Sequence, residues 1–257
     1  VKESMASKRW LIAQEYQLSY QRQKIGWLER WDENRHVYSH WAKEFKKALS
    51  PFRSLTSSTR VMEVGSGPMG LIFFLKNGKR FALDPLAHDL HECFHGIQGR
   101  GIRVIQGMGE FLPFSENSMD IVILHNTIDH TDAPLRVLKD IHRVLRDTGI
   151  LYIGVNIYPL SLRMGSKLYE AISWISARSL GLLLPIPIFR AHPYMFSVGS
   201  IKRLIHEGGF TPLKERIVGA HEARRDFRRR RRGMLWRLIS SIAYTGEFYQ
   251  AFCKKKK

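Results

Sequence analysis

The feature that most constrains the fold is a short apolar stretch that runs into a glycine-rich turn, Val61-Met62-Glu63-Val64-Gly65-Ser66-Gly67-Pro68-Met69-Gly70. Its three glycines have the spacing Gly-x-Gly-x-x-Gly, and the missing side chains let the backbone approach a ligand closely. If a strand leads into this turn and a helix follows it, backbone N–H groups and the positive end of the helix face the ligand. We therefore predict a nucleotide-type site at the turn, with a helix directly after it.

A carboxylate follows at the end of the next apolar stretch. Asp84 comes directly after Arg80-Phe81-Ala82-Leu83, where dinucleotide-binding folds place an acid on the ribose hydroxyls. These features alone would suit NAD as well as other nucleotides. A glycine-rich loop without a ligand is the alternative, but strand, turn, helix and second acid occur here in the order that a nucleotide site requires.

Two further features distinguish NAD from other nucleotide-type cofactors. One is Glu63, two residues before the first glycine, and the other is a series of motifs downstream. The motifs are Gly107-Met108-Gly109-Glu110-Phe111-Leu112-Pro113-Phe114, Ser118-Met119-Asp120-Ile121-Val122-Ile123, Asp129-His130 and Ile141-His142-Arg143-Val144-Leu145-Arg146-Asp147-Thr148-Gly149-Ile150-Leu151. In this order they resemble class I S-adenosylmethionine-dependent methyltransferases. The closest branch is the type-11 group, which includes ubiquinone/menaquinone-pathway methyltransferases. The resemblance covers about residues 59–155, and the ordered set is far more specific than one motif.

The resemblance implies S-adenosylmethionine as the cofactor and assigns roles around the turn. Glu63 would hold the amino end of the cofactor through the turn. Gly65, Ser66 and Gly67 would let the backbone pass under the cofactor, and Asp84 would accept hydrogen bonds from the ribose hydroxyls.

The same resemblance assigns residues further along the chain. Met108, Gly109 and Glu110 would flank the adenine, and His125 would end the fourth strand beside the methionine moiety. The sequence departs from the family pattern at Met69, where a glycine is common, and at Met108, where an adenine-contacting Asp is usual. Asp147-Thr148-Gly149 replaces Pro-Gly-Gly and is predicted to be a turn.

The chain is predicted to be one α/β unit: a helical N-terminal cap over residues 1–55 and a Rossmann-like methyltransferase domain over 56–257. Its 257 residues, 44% of them hydrophobic, suffice for one such core. The expected sheet is doubly wound, seven-stranded and mostly parallel, with an antiparallel last strand. The predicted strands are 60–64, 79–83, 102–105, 119–124, 150–155, about 210–218 and Glu247–Cys253.

Two helical insertions are expected, at 157–198 and 219–246. Because strands five and six should run parallel to strand one, both insertions should emerge at the sheet edge that carries the glycine turn. A helix is also predicted at 86–97, with His88, His91 and His95 on one face. No second cluster completes a zinc site there, so we predict no metal and a surface helix.

The formal net charge is +18, and half of it lies near the C-terminus. Eight arginines fall within the fourteen residues Arg224–Arg237, beside Trp236, Leu238 and Ile239. A basic stretch next to apolar residues is typical of an interfacial helix on anionic lipid. Nucleic acid is the competing partner, but no Asn-Pro-Pro-Tyr-like base-methylation motif follows strand four. The alternative is a solvated helix face.

The chain has two cysteines, Cys93 and Cys253, too few for a disulfide framework. No apolar signal region is recognisable near Val1. We therefore expect a cytoplasmic location, with peripheral attachment to the inner face of a membrane as a further expectation. Nothing in the sequence indicates an oligomeric state.

Three residues are candidates for acid–base work on the acceptor. Asp129 and His130 stand just past strand four, at the carboxyl edge where open α/β sheets bind ligands. His192 ends the first insertion and is expected to reach the same pocket. A base is needed only if the acceptor loses a proton, so hydrogen-bonding or packing roles remain the alternative for each.

The sequence thus predicts a methyltransferase that acts on an oxygen of a small-molecule or lipid-linked acceptor. Three other functions stay open. An RNA methyltransferase would use the same cofactor and the arginines. An NAD(P)-dependent oxidoreductase would share the glycine turn but leave Glu63 unexplained, and a catalytically inactive binding module would account for Met69 and Met108.

Overall fold

The fold is built on one seven-stranded sheet with the order β3-β2-β1-β4-β5-β7-β6. The computed structural model describes residues 8–28, 31–90, 101–168, 191–219 and 247–256. The strands are β1 (Arg60–Val64), β2 (Lys79–Asp84), β3 (Ile102–Gln106), β4 (Met119–His125), β5 (Leu145–Ile157), β6 (Phe210–Val218) and β7 (Glu247–Lys255). β1 to β5 pair in parallel, and β7 is antiparallel to both of its neighbours. The predicted doubly wound sheet with an antiparallel last strand is confirmed.

Four helices have defined bounds, α1 (Lys8–Leu28), α2 (Trp31–Leu49), α3 (Pro134–Val144) and α4 (Val198–Glu207). Residues 160–168 are also helical. α3 has a proline in its first turn, where a missing N–H costs nothing. α4 begins with a capping box between Ser197 and Ser200.

The buried side chains of the central strands point alternately to the two faces of the sheet and form two core layers. Met62 and Val64 of β1 belong to the cluster that packs against α3 and α4, whereas Val61 faces the cluster around α2. Because successive side chains of a strand point to opposite faces, each buried strand supplies both layers. This pattern explains why the central strands read as nearly continuous apolar runs.

The helix predicted directly after the glycine turn is wrong. Gly67–Met69 and Leu71–Phe74 form two short 3-10 turns instead. Gly70 has an extended backbone, with φ −60° and ψ 158°, and separates the two turns. The Ile72 N–H just after it donates to Glu63 Oε2. An α-helix is therefore interrupted at Gly70.

Two further local predictions are also wrong. Residues 85–90 form turns rather than the first part of helix 86–97, because Asp84 Oδ1 accepts from the Leu86 N–H at 2.9 Å and bends the chain. His91, Cys93 and His95 lie outside the described residues. The turn predicted at Asp147-Thr148-Gly149 is instead a register irregularity inside β5.

The ends of β5, β6 and β7 place both insertions at one sheet edge. Ile157 at the end of β5 pairs with Glu247 at the start of β7, and Val218 at the end of β6 pairs with Phe248. The expectation that the insertions emerge at the same edge as the glycine turn is therefore confirmed for their described ends. Residues 169–190 and 220–246, including Arg224–Arg237, lie outside the described residues.

Two observations bear on the compartment and membrane expectations. Cys253 is a free, buried cysteine on β7, and burial raises the pKa of its thiol to about 12. Within the ranges that the structure describes, no helix combines the length and the apolar character needed to cross a bilayer.

A buried carboxylate binds several groups at the end of the sheet opposite the glycine turn. Asp120, at the start of β4, accepts from the Arg60 N–H at 2.8 Å and from the guanidinium groups of Arg53 and Arg146 at 2.5 and 2.8 Å. Burial alone would raise the pKa of this carboxyl, but the donors outweigh it and hold the pKa below its ordinary value.

We predict that Asp120→Ala lowers the free energy of unfolding by about 2–3 kcal/mol, because it leaves the Arg60 N–H without its partner. The loss should shrink as the pH falls through the lowered pKa of Asp120, where its ionic contribution disappears. Denaturant unfolding measures both effects. Asp147→Ala, which removes a largely exposed carboxylate paired with Lys255, is the control and should change stability by less than about 0.5 kcal/mol. Equal losses in the two variants would contradict the prediction.

Candidate cofactor and acceptor site

The glycine turn closes against a threonine from the loop after β4. Gly65 and Gly67 have φ of +67° and +50°, values that favour glycine. A Cβ on Gly65 would lie 2.0 Å from Thr127 Cγ2, and the Thr127 hydroxyl donates to the Gly65 carbonyl oxygen at 3.2 Å. The buried Ser66 Oγ has no hydrogen-bond partner among the described residues. The turn therefore offers a tight backbone cradle with an unused hydroxyl.

Asp84 ties this turn to the loop after β2. Its Oδ2 accepts from the Gly67 N–H at 2.8 Å and its Oδ1 from the Leu86 N–H at 2.9 Å. Burial raises the pKa of the Asp84 carboxyl, and the two N–H donors offset part of that shift. Each carboxylate oxygen keeps a second lone pair that can accept a hydrogen bond from a ligand hydroxyl.

Glu63 supports the turn from beneath. Its Oε2 accepts from the Ile72 N–H at 2.7 Å, and a Cβ on Gly70 would lie 2.6 Å from the same oxygen. Burial raises the pKa of the Glu63 carboxyl to about 8, the N–H donors of Ile72 and Leu71 act against this, and the charge of Asp84 adds to it. The structure thus gives Glu63 a role in shaping the turn, while its contact with the cofactor stays a prediction.

The segment predicted to flank the adenine lies at the same sheet edge. Gly109 packs so closely that a Cβ would lie 2.9 Å from Val64 Cγ1 at the end of β1. Glu110 is buried, and its Oε1 accepts from the N–H groups of Asp132 and Ala133 at 2.9 and 3.1 Å. Glu110 therefore secures the loop that leads into α3, while Met108 is half-buried in the turn before it.

His125 ends β4 inside an aromatic cluster. Its ring stacks on Tyr152, with centroids 5.9 Å apart, and contacts Trp41 and Phe248 at 6.2 and 5.2 Å. Burial lowers the pKa of His125 to about 4, so the ring is neutral at physiological pH. This position suits a packing surface for an apolar or cationic group, and it is unsuited to carrying a charge.

The three acid–base candidates form one cluster. Asp129 is fully buried, and its Oδ2 lies 2.8 Å from His192 Nδ1. The rings of His130 and His192 lie 4.5 Å apart between centroids. The segment that carries His192 is held in place because the Tyr194 N–H donates to the backbone carbonyl of Asp129 at 3.2 Å. The structure thus brings together residues that are more than sixty positions apart in sequence.

Charge in this cluster is concentrated on Asp129. Burial alone would raise the pKa of its carboxyl, but His130 and the hydrogen bond with His192 outweigh burial and lower that pKa. Burial lowers the pKa of His130, and this effect exceeds the opposing charge of Asp129. His130 Nδ1 lies 2.6 Å from the Ala191 carbonyl oxygen and donates to it. Its Nε2 is 3.9 Å from Asp129 Oδ1, an oxygen with no hydrogen-bond partner among the described residues.

Asp129, His130 and His192 are also ligand types that hold metal ions. Two ligand atoms on a tetrahedral zinc ion, each about 2.1 Å from it, lie about 3.4 Å apart. The separation of 2.8 Å between His192 Nδ1 and Asp129 Oδ2 is instead that of a charge-assisted hydrogen bond. In this arrangement the His192 Nδ1–H donates to Asp129 Oδ2.

Sequence reasoning missed the residues that α1 contributes. Gln17 Nε2 lies 3.2 Å from His130 Nδ1, and a Cβ on Gly67 would lie 3.5 Å from Gln21 Nε2. These two glutamines are four residues apart and therefore share one face of the helix. α1 thus passes over both the glycine turn and the histidine cluster. Helical spacing predicted the helix, but no local signal pairs it with residues more than a hundred positions away.

Comparison with known proteins finds methyltransferases. Residues 62–153 match the type-11 family model described as a methyltransferase domain. Among curated relatives, the 2-methyl-6-phytyl-1,4-hydroquinone methyltransferase 1 of Oryza sativa subsp. japonica is 24% identical over 125 residues, covering 47% of this chain. The chain covers only 38% of that protein's length.

Solved structures share the fold across nearly the whole chain. An S-adenosylmethionine-dependent methyltransferase of Thermotoga maritima aligns with a TM-score of 0.56 and 19% identity over 96% of this chain and 100% of its own. A chain from the complex of the Haloferax volcanii Trm112 methyltransferase activator with a methyltransferase aligns with a TM-score of 0.60 and 16% identity, over 93% and 95%. At these identities the likeness shows the fold alone.

We predict that Gly65→Ala lowers the free energy of unfolding by about 2–4 kcal/mol, because its Cβ overlaps Thr127 and an L residue is strained at this φ. Gly101→Ala is the matched control, since Gly101 has φ +72° but its added Cβ would meet only Arg80 Nη2 at 3.6 Å. It should cost about 1–2 kcal/mol. Thr127→Ser in the Gly65→Ala background should recover part of the loss. Equal costs at the two glycines, measured by denaturant unfolding, would refute the overlap.

Glu63 is predicted to make stability depend on pH. Its folded-state pKa of about 8 lies above the ordinary 4.5, so its contribution is complete below about pH 4.5 and is lost as the pH rises through 8. The free energy of unfolding should therefore fall with rising pH, by at most about 1.4 kcal/mol per pH unit from this group. Glu63→Gln should flatten the curve between pH 5 and pH 8, while Glu116→Gln, at an exposed position, should not. The same slope in wild type and Glu63→Gln would contradict this account.

Proposed function

We propose that this chain, whose residues 62–153 form a class I S-adenosylmethionine-dependent methyltransferase domain of type 11, methylates an oxygen of a small-molecule or lipid-linked acceptor. The family and the fold imply S-adenosylmethionine as the cofactor. The observation that carries the choice of oxygen is the hydrogen bond between the buried Asp129 and the partly buried His192, at the sheet edge that also carries the glycine turn.

The residues of the turn fit the cofactor that the family implies. The positive φ angles of Gly65 and Gly67 open a space that a Cβ would fill, and the Ser66 hydroxyl lies there without a described partner. Asp84 keeps lone pairs for the ribose hydroxyls, and Gly109 packs the adenine-side loop onto the end of β1. When bound, S-adenosylmethionine would supply an electrophilic methyl carbon on its sulfonium, with S-adenosylhomocysteine as the leaving group.

An oxygen acceptor must lose its proton, and in the proposed scheme His192 takes it. Its contact with the ionised Asp129 puts the ring proton on Nδ1, which leaves the lone pair on Nε2. As the new carbon–oxygen bond forms, the hydroxyl proton passes to Nε2, and Asp129 stabilises the resulting imidazolium. His130 donates to Ala191 and holds its ring against that of His192, so it is a positioning residue in this scheme rather than the base.

Two features support an acceptor with an apolar part. The rice relative is named for a phytyl-substituted hydroquinone, which combines a polar head with a hydrocarbon tail. The aromatic cluster of His125, Tyr152, Phe248 and Trp41 offers a neutral, apolar wall beside the site. The proposal includes a cytoplasmic protein attached peripherally to the inner face of a membrane, where such acceptors reside.

The competing functions have less support. An NAD(P)-dependent oxidoreductase would leave the buried Asp129–His192 pair and the Glu110-anchored loop without a role. An RNA methyltransferase would rest on Arg224–Arg237, which lie outside the described residues. No described feature of the site favours a nucleic-acid base over a hydroxyl acceptor.

The function is tested by transfer of labelled methyl from S-adenosylmethionine into a lipid extract and into soluble phenols. His192→Gln should lower the transfer rate by roughly a hundredfold or more, because no base receives the proton, and should leave binding of S-adenosylhomocysteine unchanged. Asp129→Asn should cause a comparable loss because it no longer orients His192. His206→Gln is the control, since His206 lies on α4 and its Nε2 lies 3.0 Å from Lys256 Nζ.

Retention of at least a third of the wild-type rate by His192→Gln would rule out His192 as the base. A loss confined to the KM of the acceptor would make His192 a binding residue. If wild type labels RNA but neither lipids nor phenols, the oxygen-acceptor proposal is wrong.

A further inference from the structure

The helical residues 160–168, which follow β5, carry their apolar side chains on the outside. Leu160, Met164 and Leu168 are 64%, 62% and 62% exposed. They are spaced by four residues and therefore form one ridge along the helix, about 12 Å long. We call these three residues the apolar ridge. Three large apolar side chains exposed together on one helix face mark an interaction site more often than isolated ones do.

The inner side of the same helix is not the usual apolar face. Ser166 is buried there, and its Oγ accepts from Arg9 Nη2 of α1 at 3.1 Å. A surface helix normally turns its apolar stripe toward the core and its polar residues toward solvent. This helix departs from that pattern: Leu162 is half-buried and the polar Ser166 is buried, while the three residues of the apolar ridge face outward.

The charged residues beside the apolar ridge indicate what kind of surface it binds. Arg163 and Lys167 alternate with the ridge residues, Lys167 is exposed, and no acidic residue lies between 160 and 168. Over residues 159–190 the sequence holds four basic residues and one acidic residue. Lysine and arginine next to an exposed apolar face match a surface of anionic headgroups over hydrocarbon.

We infer that the apolar ridge, with Arg163 and Lys167, docks this protein onto a membrane surface that contains anionic lipids. The inference rests on the proposed function and deepens it, because it states how an acceptor with a lipid tail reaches the site. A shallow insertion of this kind places Leu160, Met164 and Leu168 among the acyl chains, while the two cations remain with the headgroups.

The position of the helix fits delivery to the active site. It begins within three residues of the end of β5, and Tyr158 between them lies 5.6 Å from the ring of His192. Val218 and Glu247, which flank the arginine-rich segment in sequence, meet the same sheet edge. A membrane that contacts the ridge would therefore lie close to the edge that holds the glycine turn and His192.

Two other ways of covering the ridge, by a second copy of the chain or by a segment of the chain itself, lead to different experimental results. If a second copy of the chain covered the ridge, the protein would dimerise and the ridge substitutions would make it monomeric. If a segment of the chain itself covered the ridge, the substitutions would lower the melting temperature. Docking on a membrane predicts neither change in the absence of lipid.

The test is co-sedimentation of the full chain with vesicles of phosphatidylcholine alone or with 30% phosphatidylglycerol, a fraction chosen on the order of physiological anionic content. Wild type should bind the anionic vesicles at least tenfold more tightly than the neutral ones. Leu160→Gln with Leu168→Gln should weaken binding to anionic vesicles at least tenfold. The matched control pair is Leu213→Gln with Ile217→Gln, exposed apolar residues of the edge strand β6, and it should bind like wild type.

A second pair of substitutions isolates the charge. Arg163→Gln with Lys167→Gln should reduce the preference for anionic vesicles while leaving weak binding to neutral ones. Affinity for S-adenosylhomocysteine, measured on the same preparations, should be unchanged in every variant, so failure of the cofactor site is distinguished from failure of the membrane contact.

The inference is overturned if wild type does not distinguish the two vesicles, or if the ridge pair binds as tightly as the control pair. It is also overturned if the ridge pair loses several degrees of melting temperature relative to the control pair, since the ridge would then be covered by the protein itself. A change from dimer to monomer in the ridge pair would assign the surface to a second copy.

Discussion

The hydrogen bond from the Gly67 N–H to the Asp84 carboxylate is the contact on which the cofactor side of the structure depends. It joins the loop after β1 to the loop after β2, because the second Asp84 oxygen accepts from Leu86. Glu63 supports the same loop from below through Ile72. Two buried carboxylates therefore hold the glycine turn in place, whereas in many nucleotide-binding folds an α-helix begins directly after such a turn. Burial removes these carboxyl groups from water and disfavours their charged forms, so the pKa of each is raised.

A continuous set of contacts links this turn to the acceptor side. Gly65 packs against Thr127, Thr127 precedes the short turn Ile128–His130, and Asp129 in that turn holds His192. His192 belongs to the segment that returns from the first insertion. A displacement of the turn by a bulky residue at position 65 would thus also move His192, the base in the proposed scheme. In that scheme one connected set of contacts positions both the methyl donor and the acceptor.

The sequence allowed the sheet to be predicted nearly strand by strand, because buried parallel strands read as apolar runs and Asp84 and His125 mark two of their ends. Where it failed, the cause was local geometry or long-range packing. The extended backbone of Gly70 interrupted the helix predicted after the glycine turn, and the Asp84–Leu86 contact bent the chain at the start of helix 86–97. Glu110 stays a predicted neighbour of the adenine, and the sequence did not reveal that its carboxylate also accepts from the N–H groups of Asp132 and Ala133. Gln17 reaches His130 across 113 positions, a contact that no periodicity reveals.

The central claim is that the glycine turn and Asp84 bind S-adenosylmethionine, and titration calorimetry of the full chain with S-adenosylhomocysteine and NAD tests it most directly. The account predicts saturable, one-to-one binding of S-adenosylhomocysteine that weakens by about 1–3 kcal/mol in Asp84→Asn, since the variant loses a charged acceptor. It predicts no binding of NAD in the same concentration range. Binding of NAD in preference to S-adenosylhomocysteine would contradict the account.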